Sequence, residues 1–203
     1  MRILIITALC LIGTFTAQGQ IFSTGLQGGF TATQVDGDAI SGFNKLGFHG
    51  AAFVRATLSD QISAKMEIGY IGKGSRKPGD PDNPAADTWG YTFHYIEIPV
   101  LAEYQYGQFK IQAGPYAGLL VSGNQMFNQI NFDVINPPLN DLELGFMAGT
   151  EYAISDKVFG LVRYSQSLSA VRSAPDPGGV TTFYDRRMIN IVLQFGIGIQ
   201  FGD

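Results

Sequence analysis

From residue 21 onward the chain alternates apolar and polar residues with a period of two, and no useful stretch repeats at helical spacing. Successive side chains of an extended strand point to opposite faces, so this pattern predicts half-buried strands. The last segment shows it best. Ile189, Ile191, Leu193, Phe195, Ile197, Ile199 and Phe201 share one face, while Asn190, Val192, Gln194, Gly196, Gly198 and Gln200 share the other. The same alternation runs through 21–34, 46–58, 62–72, 93–106, 109–122, 142–154 and 157–169, which brings the expected number of strands to eight. No Asp, Glu, Lys or Arg falls on any apolar face, where His94 and Gln166 are the nearest exceptions. A Lys or Arg facing lipid at the bilayer midplane costs roughly 2–4 kcal/mol, so a charge-free face suits a wall turned toward lipid.

The connections alternate in length. Ser59-Asp60-Gln61, Gly107-Gln108 and Ser155-Asp156-Lys157 read as tight turns, and long polar stretches occupy 35–45, 73–92, 123–141 and 171–188. Short turns at one end and long loops at the other are the arrangement of outer-membrane barrels, whose tilted strands need about 9–11 residues to cross. The expected fold is therefore all-β, an eight-stranded antiparallel up-and-down transmembrane β-barrel, with both mature ends on the periplasmic side. Tyr104, Tyr106, Phe109, Tyr152 and Phe201 form one expected interfacial girdle. The loop at 73–92, with Lys73, Arg76, Lys77, Asp80, Asp82 and Asp87, is expected to be solvated.

The first residues carry an address. Arg2, the apolar run Ile3 to Phe15 and Ala17-Gln18-Gly19 make a secretory signal over 1–19, leaving a barrel domain over 20–203. The pattern implies export by a Gram-negative cell to its outer membrane. Cys10, the lone cysteine, lies inside the signal, so the mature chain is expected to lack disulfides. Composition agrees with a lipid-facing wall around a polar interior. Charged residues are 15 % and Gly numbers 26, while the mean hydropathy of +0.10 is too low for a bundle of spanning helices. The net charge of -4, with no basic run, offers nothing to nucleic acid.

Eight strands enclose a space that side chains just fill. The charges on the polar faces are Arg55, Lys65, Lys110 and Arg163 against Glu67, Glu97, Glu103, Glu143 and Glu151. Four cations against five anions suggest a structural interior charge network plugging the barrel. The turn register sets Lys110 diagonal to Glu103, Arg163 diagonal to Glu151 and Arg55 diagonal to Glu67, within reach of long side chains. A proton or ion path is the functional alternative for the same residues. Pro99 and Pro115 should lie at nearly one height on adjacent strands, marking a shared bulge or bend.

Other chemistry is thinly supported. Gly72-Lys73-Gly74-Ser75 lacks the spacing and strand-to-helix setting of a phosphate loop. Asp80, Asp82 and Asp87 lack the frame of a Ca²⁺ site. His49 and His94 face opposite ways, and no mid-strand Ser is expected beside His94. The reading is therefore no enzyme, no cofactor, no metal and no catalytic residue.

At Tyr95-Ile96-Glu97-Ile98-Pro99-Val100 and Gly114-Pro115-Tyr116 the sequence resembles the PorT-type outer-membrane β-barrel family of small OmpA/OmpX-like barrels. Leu144-Gly145-Phe146-Met147-Ala148-Gly149 and Arg163-Tyr164 are similar to later elements of that pattern, over roughly residues 20–203. The resemblance implies fold and location, with one member linked to protein secretion, and supplies no catalytic residues. Expected partners are outer-membrane lipid, the barrel-assembly machinery during biogenesis, with Phe201 as the near-terminal aromatic, and a protein partner at the external loops. The rival reading is a secreted soluble lipocalin-like barrel with its apolar faces turned inward around a small ligand. A lipid-modifying outer-membrane enzyme is a third.

Overall fold

A computed structural model describes residues 21–202 except 39, 80, 81, 83–87, 129, 133–138 and 173–187. The expected signal over 1–19, and Asp80 and Asp87 of the second loop, lie outside the described residues.

The strands are β1 (Ile21–Asp36), β2 (Lys45–Thr57), β3 (Ile62–Arg76), β4 (Trp89–Tyr106), β5 (Phe109–Phe127), β6 (Ile130–Phe132), β7 (Leu142–Ala153), β8 (Val158–Ser167) and β9 (Ile189–Phe201). Eight of them pair antiparallel in the order β4-β3-β2-β1-β9-β8-β7-β5, and the β4–β5 pairing closes the ring. The short β6 pairs with the end of β5 and stands outside the ring. Pairing from Thr24↔Phe201 to Asp36↔Ile189 joins the first strand to the last, so each of the eight ring strands has a neighbour on both sides.

The expected turn registers hold at all three tight turns, through Thr57↔Ser63, Tyr106↔Phe109 and Ala153↔Phe159. Gly107 turns the tightest of them with φ of 60°, a left-handed backbone that favours glycine. The period-2 pattern then decides which face looks where. Phe30, Leu46, Phe48, Val54, Ile68, Ile111, Leu144 and Ile197 are exposed on the outer wall, while Arg55, Lys65, Glu67, Glu143 and Arg163 are buried within. A soluble barrel with apolar residues inside would have the reverse.

Three expectations need correction. The 73–92 loop is shorter, because β3 continues to Arg76 and β4 starts at Trp89. Likewise β5 runs on to Phe127, so the 123–141 stretch opens as strand. The register shift falls between His94 and Tyr95, where Val121 is left over, and not at the prolines. At Pro99 and Pro115 the β4–β5 register is unchanged: pairing stops at Pro99↔Tyr116 and resumes at Ala102↔Ala113. Proline lacks a ladder donor, so losing those rungs suffices and no extra residue is needed.

Candidate functional site

The interior is layered. Nearest the tight turns, Arg55 on β2 reaches across the lumen, its Nε donating to Glu103 Oε2 at 2.6 Å and its Nη2 to Glu151 Oε2 at 2.7 Å. Lys65 Nζ sits 2.6 Å from Glu151 Oε1 and 3.0 Å from Glu67 Oε1. Arg163 meets Glu67 in bidentate fashion, at 2.8 and 2.6 Å, with its Nη2 3.6 Å from Glu151 Oε1. Gln27 joins them, donating to Glu67 and accepting from Lys65. Three cations and three carboxylates thus form one connected group, drawn from β2, β3, β4, β7 and β8.

Nearer the loops a second group gathers on Lys73, which is fully buried. Its ammonium pairs with Glu97 and Glu143, while the Tyr116 hydroxyl donates to Glu143 Oε1 at 2.7 Å and Asn190 donates to Glu143 Oε2. A cavity of about 20 Å³, lined by Gln27, His49, Glu67, Glu97, Met147 and Gln194 among others, separates the two groups. That is room for about one water molecule.

Aromatic rings complete the lumen. Lys65 Nζ lies 4.1 Å from the Phe53 ring centre, and Lys73 Nζ lies 4.7 Å from Tyr116 and 5.1 Å from Tyr95. A cation over a ring face is attracted by the ring quadrupole, which helps replace lost hydration. Two glycines give these groups space. A Cβ at Gly145 would stand 2.4 Å from the Tyr116 ring, and one at Gly149 would stand 2.7 Å from Arg163 Cγ.

Above the ionic groups lies an apolar cap. Val35, Ile71, Tyr91, Phe93, Tyr95, Val171, Met188 and Val192 cluster with almost no exposure, and Leu139 packs against them. The bridges Leu139↔Arg172 and Arg172↔Met188 tie together the ends of the last two long connections beside this cluster. The opposite end is open. There a cup of about 510 Å³ is lined by Arg55, Gln105, Lys110, Glu151, Lys157 and Gln200 among others.

Eight of the nine expected interior charges are deeply buried, namely Arg55, Lys65, Glu67, Glu97, Glu103, Glu143, Glu151 and Arg163. Lys110 is half-buried beside the cup and makes no ion pair among the described residues, because Arg55 and Ser63 occupy Glu103. Arg55 and Glu67 are diagonal in register, yet Arg55 turns to Glu103 and Glu151 instead. Lys73, expected in a solvated loop, is the centre of the second group. Its signal was the parity it shares with Lys65 and Glu67, which points it inward once β3 is extended. A second correction concerns His94. Exposed Ser122 is its cross-strand partner after all. No hydrogen bond joins the two side chains, and His94 Nδ1 is engaged by the Tyr70 hydroxyl.

Apolar residues outside, charges inside and turns of unequal length decide between membrane and soluble barrels, and comparison with known proteins agrees. The family described as "Outer membrane protein beta-barrel domain" matches residues 16–172. This chain belongs to that outer-membrane β-barrel family. The match spans β1 to β8, and the structure adds β9, which closes the ring. Among solved structures the chain is similar to Neisserial surface protein A, at 12 % identity and a TM-score of 0.54, covering 89 % of this chain and 97 % of that one. It is also similar to Ail, the attachment invasion locus protein of Yersinia pestis, at 9 % identity and a TM-score of 0.50, covering 88 % and 98 %. At such identity the likeness shows the fold. No curated protein sequence matches the chain significantly. The protein is thus a small outer-membrane barrel.

Proposed function

We propose that the protein is a plugged, non-conducting barrel that anchors external loops for surface contacts or envelope organisation. One observation carries this reading: two buried ionic groups and an apolar cap lie in series along the lumen. A pore needs hydrated space, whereas these charges are already neutralised by one another. The long connections at the capped end then remain as the parts free to meet a partner. The motifs that resemble PorT-type barrels place Tyr95, Glu97, Tyr116 and Arg163 inside the lumen, so a role in protein secretion would also run through the loops. Export by the signal over 1–19, and recognition of exposed Phe201 by the barrel-assembly machinery, belong to the same proposal.

Directional labelling tests the orientation. With Cys10 removed alongside the signal, Asp82→Cys and Gln108→Cys each carry a lone thiol. A membrane-impermeant maleimide applied to intact cells is expected to label Asp82→Cys, and Gln108→Cys only after the outer membrane is broken. The opposite pattern overturns loops-out display. A pull-down with the loops 73–92 and 123–141 intact or trimmed then tests for a partner. Capture that survives trimming places the contact elsewhere.

A further inference from the structure

One row of the inner wall is bare. At a single height the register runs Gln27↔Ala51, Ala51↔Gly69, Gly69↔Glu97, Glu97↔Gly118 and Gly118↔Glu143. Between the long side chains of Gln27 and Glu97 stand only a methyl group and a hydrogen, and this gap opens into the cavity of about 20 Å³. Gly69 has to be bare, since a Cβ there would stand 2.4 Å from Ala51 Cβ. Gly118 in turn puts no side chain between Glu97 and Glu143. A Cβ there would lie 3.5 Å from Glu97 Cγ and 3.7 Å from Glu143 Cβ, so the two acids share one space.

Their counter-charge is short by one. The three cations and three carboxylates nearer the turns balance, whereas Lys73 is the one cation paired with Glu97 and Glu143 among the described residues. The two acids are held unequally. Glu143 accepts from Lys73, from the Tyr116 hydroxyl at 2.7 Å and from Asn190, while Glu97 has Lys73 alone. The other ionisable groups around the acids and the cavity are Glu67 on β3, Tyr95 on β4, Tyr116 on β5 and Arg163 on β8. Arg163 offers no relief, because its guanidinium grips Glu67. Beside the cavity, Glu97 Oε1, His49 Nε2 and Gln194 Nε2 have no hydrogen-bond partner among the described residues. These side chains are deeply buried, with exposures of 5 %, 7 % and 2 %.

Two carboxylates that share one ammonium out of water cannot both keep their charge cheaply. We propose that Glu97 binds one proton at neutral pH and, as a neutral acid, donates through a water molecule in the cavity to His49 Nε2. Gln194 Nε2 donates to the same water, which then makes about three hydrogen bonds, the usual number for a buried one. All three unpartnered atoms are thereby satisfied, and Lys73 is left to match Glu143. The proton comes from solvent as the chain folds, because a glutamate in the unfolded chain is ionised near neutral pH. Lys73 lies over the ring of Tyr95, which belongs to the apolar cap, so the proton also steadies the loop end of the lumen. The proposal deepens the plugged reading of the barrel and rests on it, because a hydrated pore would solvate Glu97 without a proton.

The test uses the full mature chain, folded in a detergent without ester groups, and reads the infrared carbonyl absorption of a protonated carboxylic acid at neutral pH. Wild type is expected to show this absorption, and glutamate labelled with carbon-13 at its carboxyl should move it, which separates it from Asp38. It should vanish in Glu97→Gln. In Glu97→Asp it should return but no longer respond to labelled glutamate. His49→Leu should keep the absorption and shift it, because the water loses its acceptor; an unshifted absorption there overturns the bridge. Refolding in dilute buffer with a pH indicator gives a second reading, in which wild type takes up about one proton more than Glu97→Gln. No glutamic acid absorption in wild type, an absorption unchanged in Glu97→Gln, or equal proton uptake overturns the site. Absent absorption together with stability that follows sodium or potassium concentration overturns it in favour of a metal cation. If Glu97→Gln fails to give the heat-modifiable band of a folded barrel, labelled wild type and Glu97→Asp still decide. A wild type that conducts steadily refutes the plug, whereas a silent one without the acid absorption refutes the proton alone.

Discussion

At the residue scale the interior consists of charges that depend on one another. Glu151 accepts from Arg55 and Lys65 and lies within 3.6 Å of Arg163, so it is shared by three cations. Lys73 is the counterpart in the second group, holding two carboxylates. Removing one member of a buried pair leaves a charge without water or partner, which costs about 3–5 kcal/mol. Glu151→Ala and Lys73→Ala are each expected to lose stability of that order, read as an earlier urea midpoint of the heat-modifiable band in lipid vesicles. Lys110→Ala, which breaks no pair, should leave the midpoint nearly unchanged, and equal losses at all three positions would contradict the pairing. Gly145→Val should also destabilise, because its side chain would enter the Tyr116 ring.

At the element scale, the strands, turns and hairpin registers were legible in the sequence, because a one-residue slip would turn every charge toward lipid. Strand ends were less legible, for a physical reason. Beyond the bilayer the outer face no longer has to be apolar, so Gly72 to Arg76 and Trp89 to Thr92 lose the alternation while still pairing. Lys73 was misplaced for that reason. Partner choice inside the lumen was hidden too: register fixes cross-strand neighbours, whereas Arg55 and Arg163 reach strands on other sides of the ring. The apolar cap was unreadable because it joins residues of β1, β3, β4 and β9 to Leu139, Val171 and Met188 outside the strands.

The first loop carries a pH-sensitive group of its own. Asp38 is buried, which pushes its carboxyl above the ordinary range, and its Oδ1 accepts from the Ile40 amide at 2.8 Å. A raised folded value means the proton favours the folded loop. The associated stability is fully present below the usual carboxylate value and is lost as pH rises through the raised one. Protection of the Ile40 amide against hydrogen exchange, corrected for intrinsic rates, should fall over that window and become flat in Asp38→Asn. A fall that persists in Asp38→Asn would assign it to another group.

At the scale of the whole molecule, the proposed plug closes the lumen twice by different means. The ionic groups hold its middle and the apolar cap its loop end. Met188→Asp should open the cap without opening a pore, whereas a cap variant that conducts would show the ionic groups to be permeable. The most direct test of the central claim is the conductance of the refolded wild-type chain in a planar lipid bilayer. The expected result is insertion, verified by the heat-modifiable band, without stable, large current steps; a steady porin-like conductance would contradict the plugged barrel.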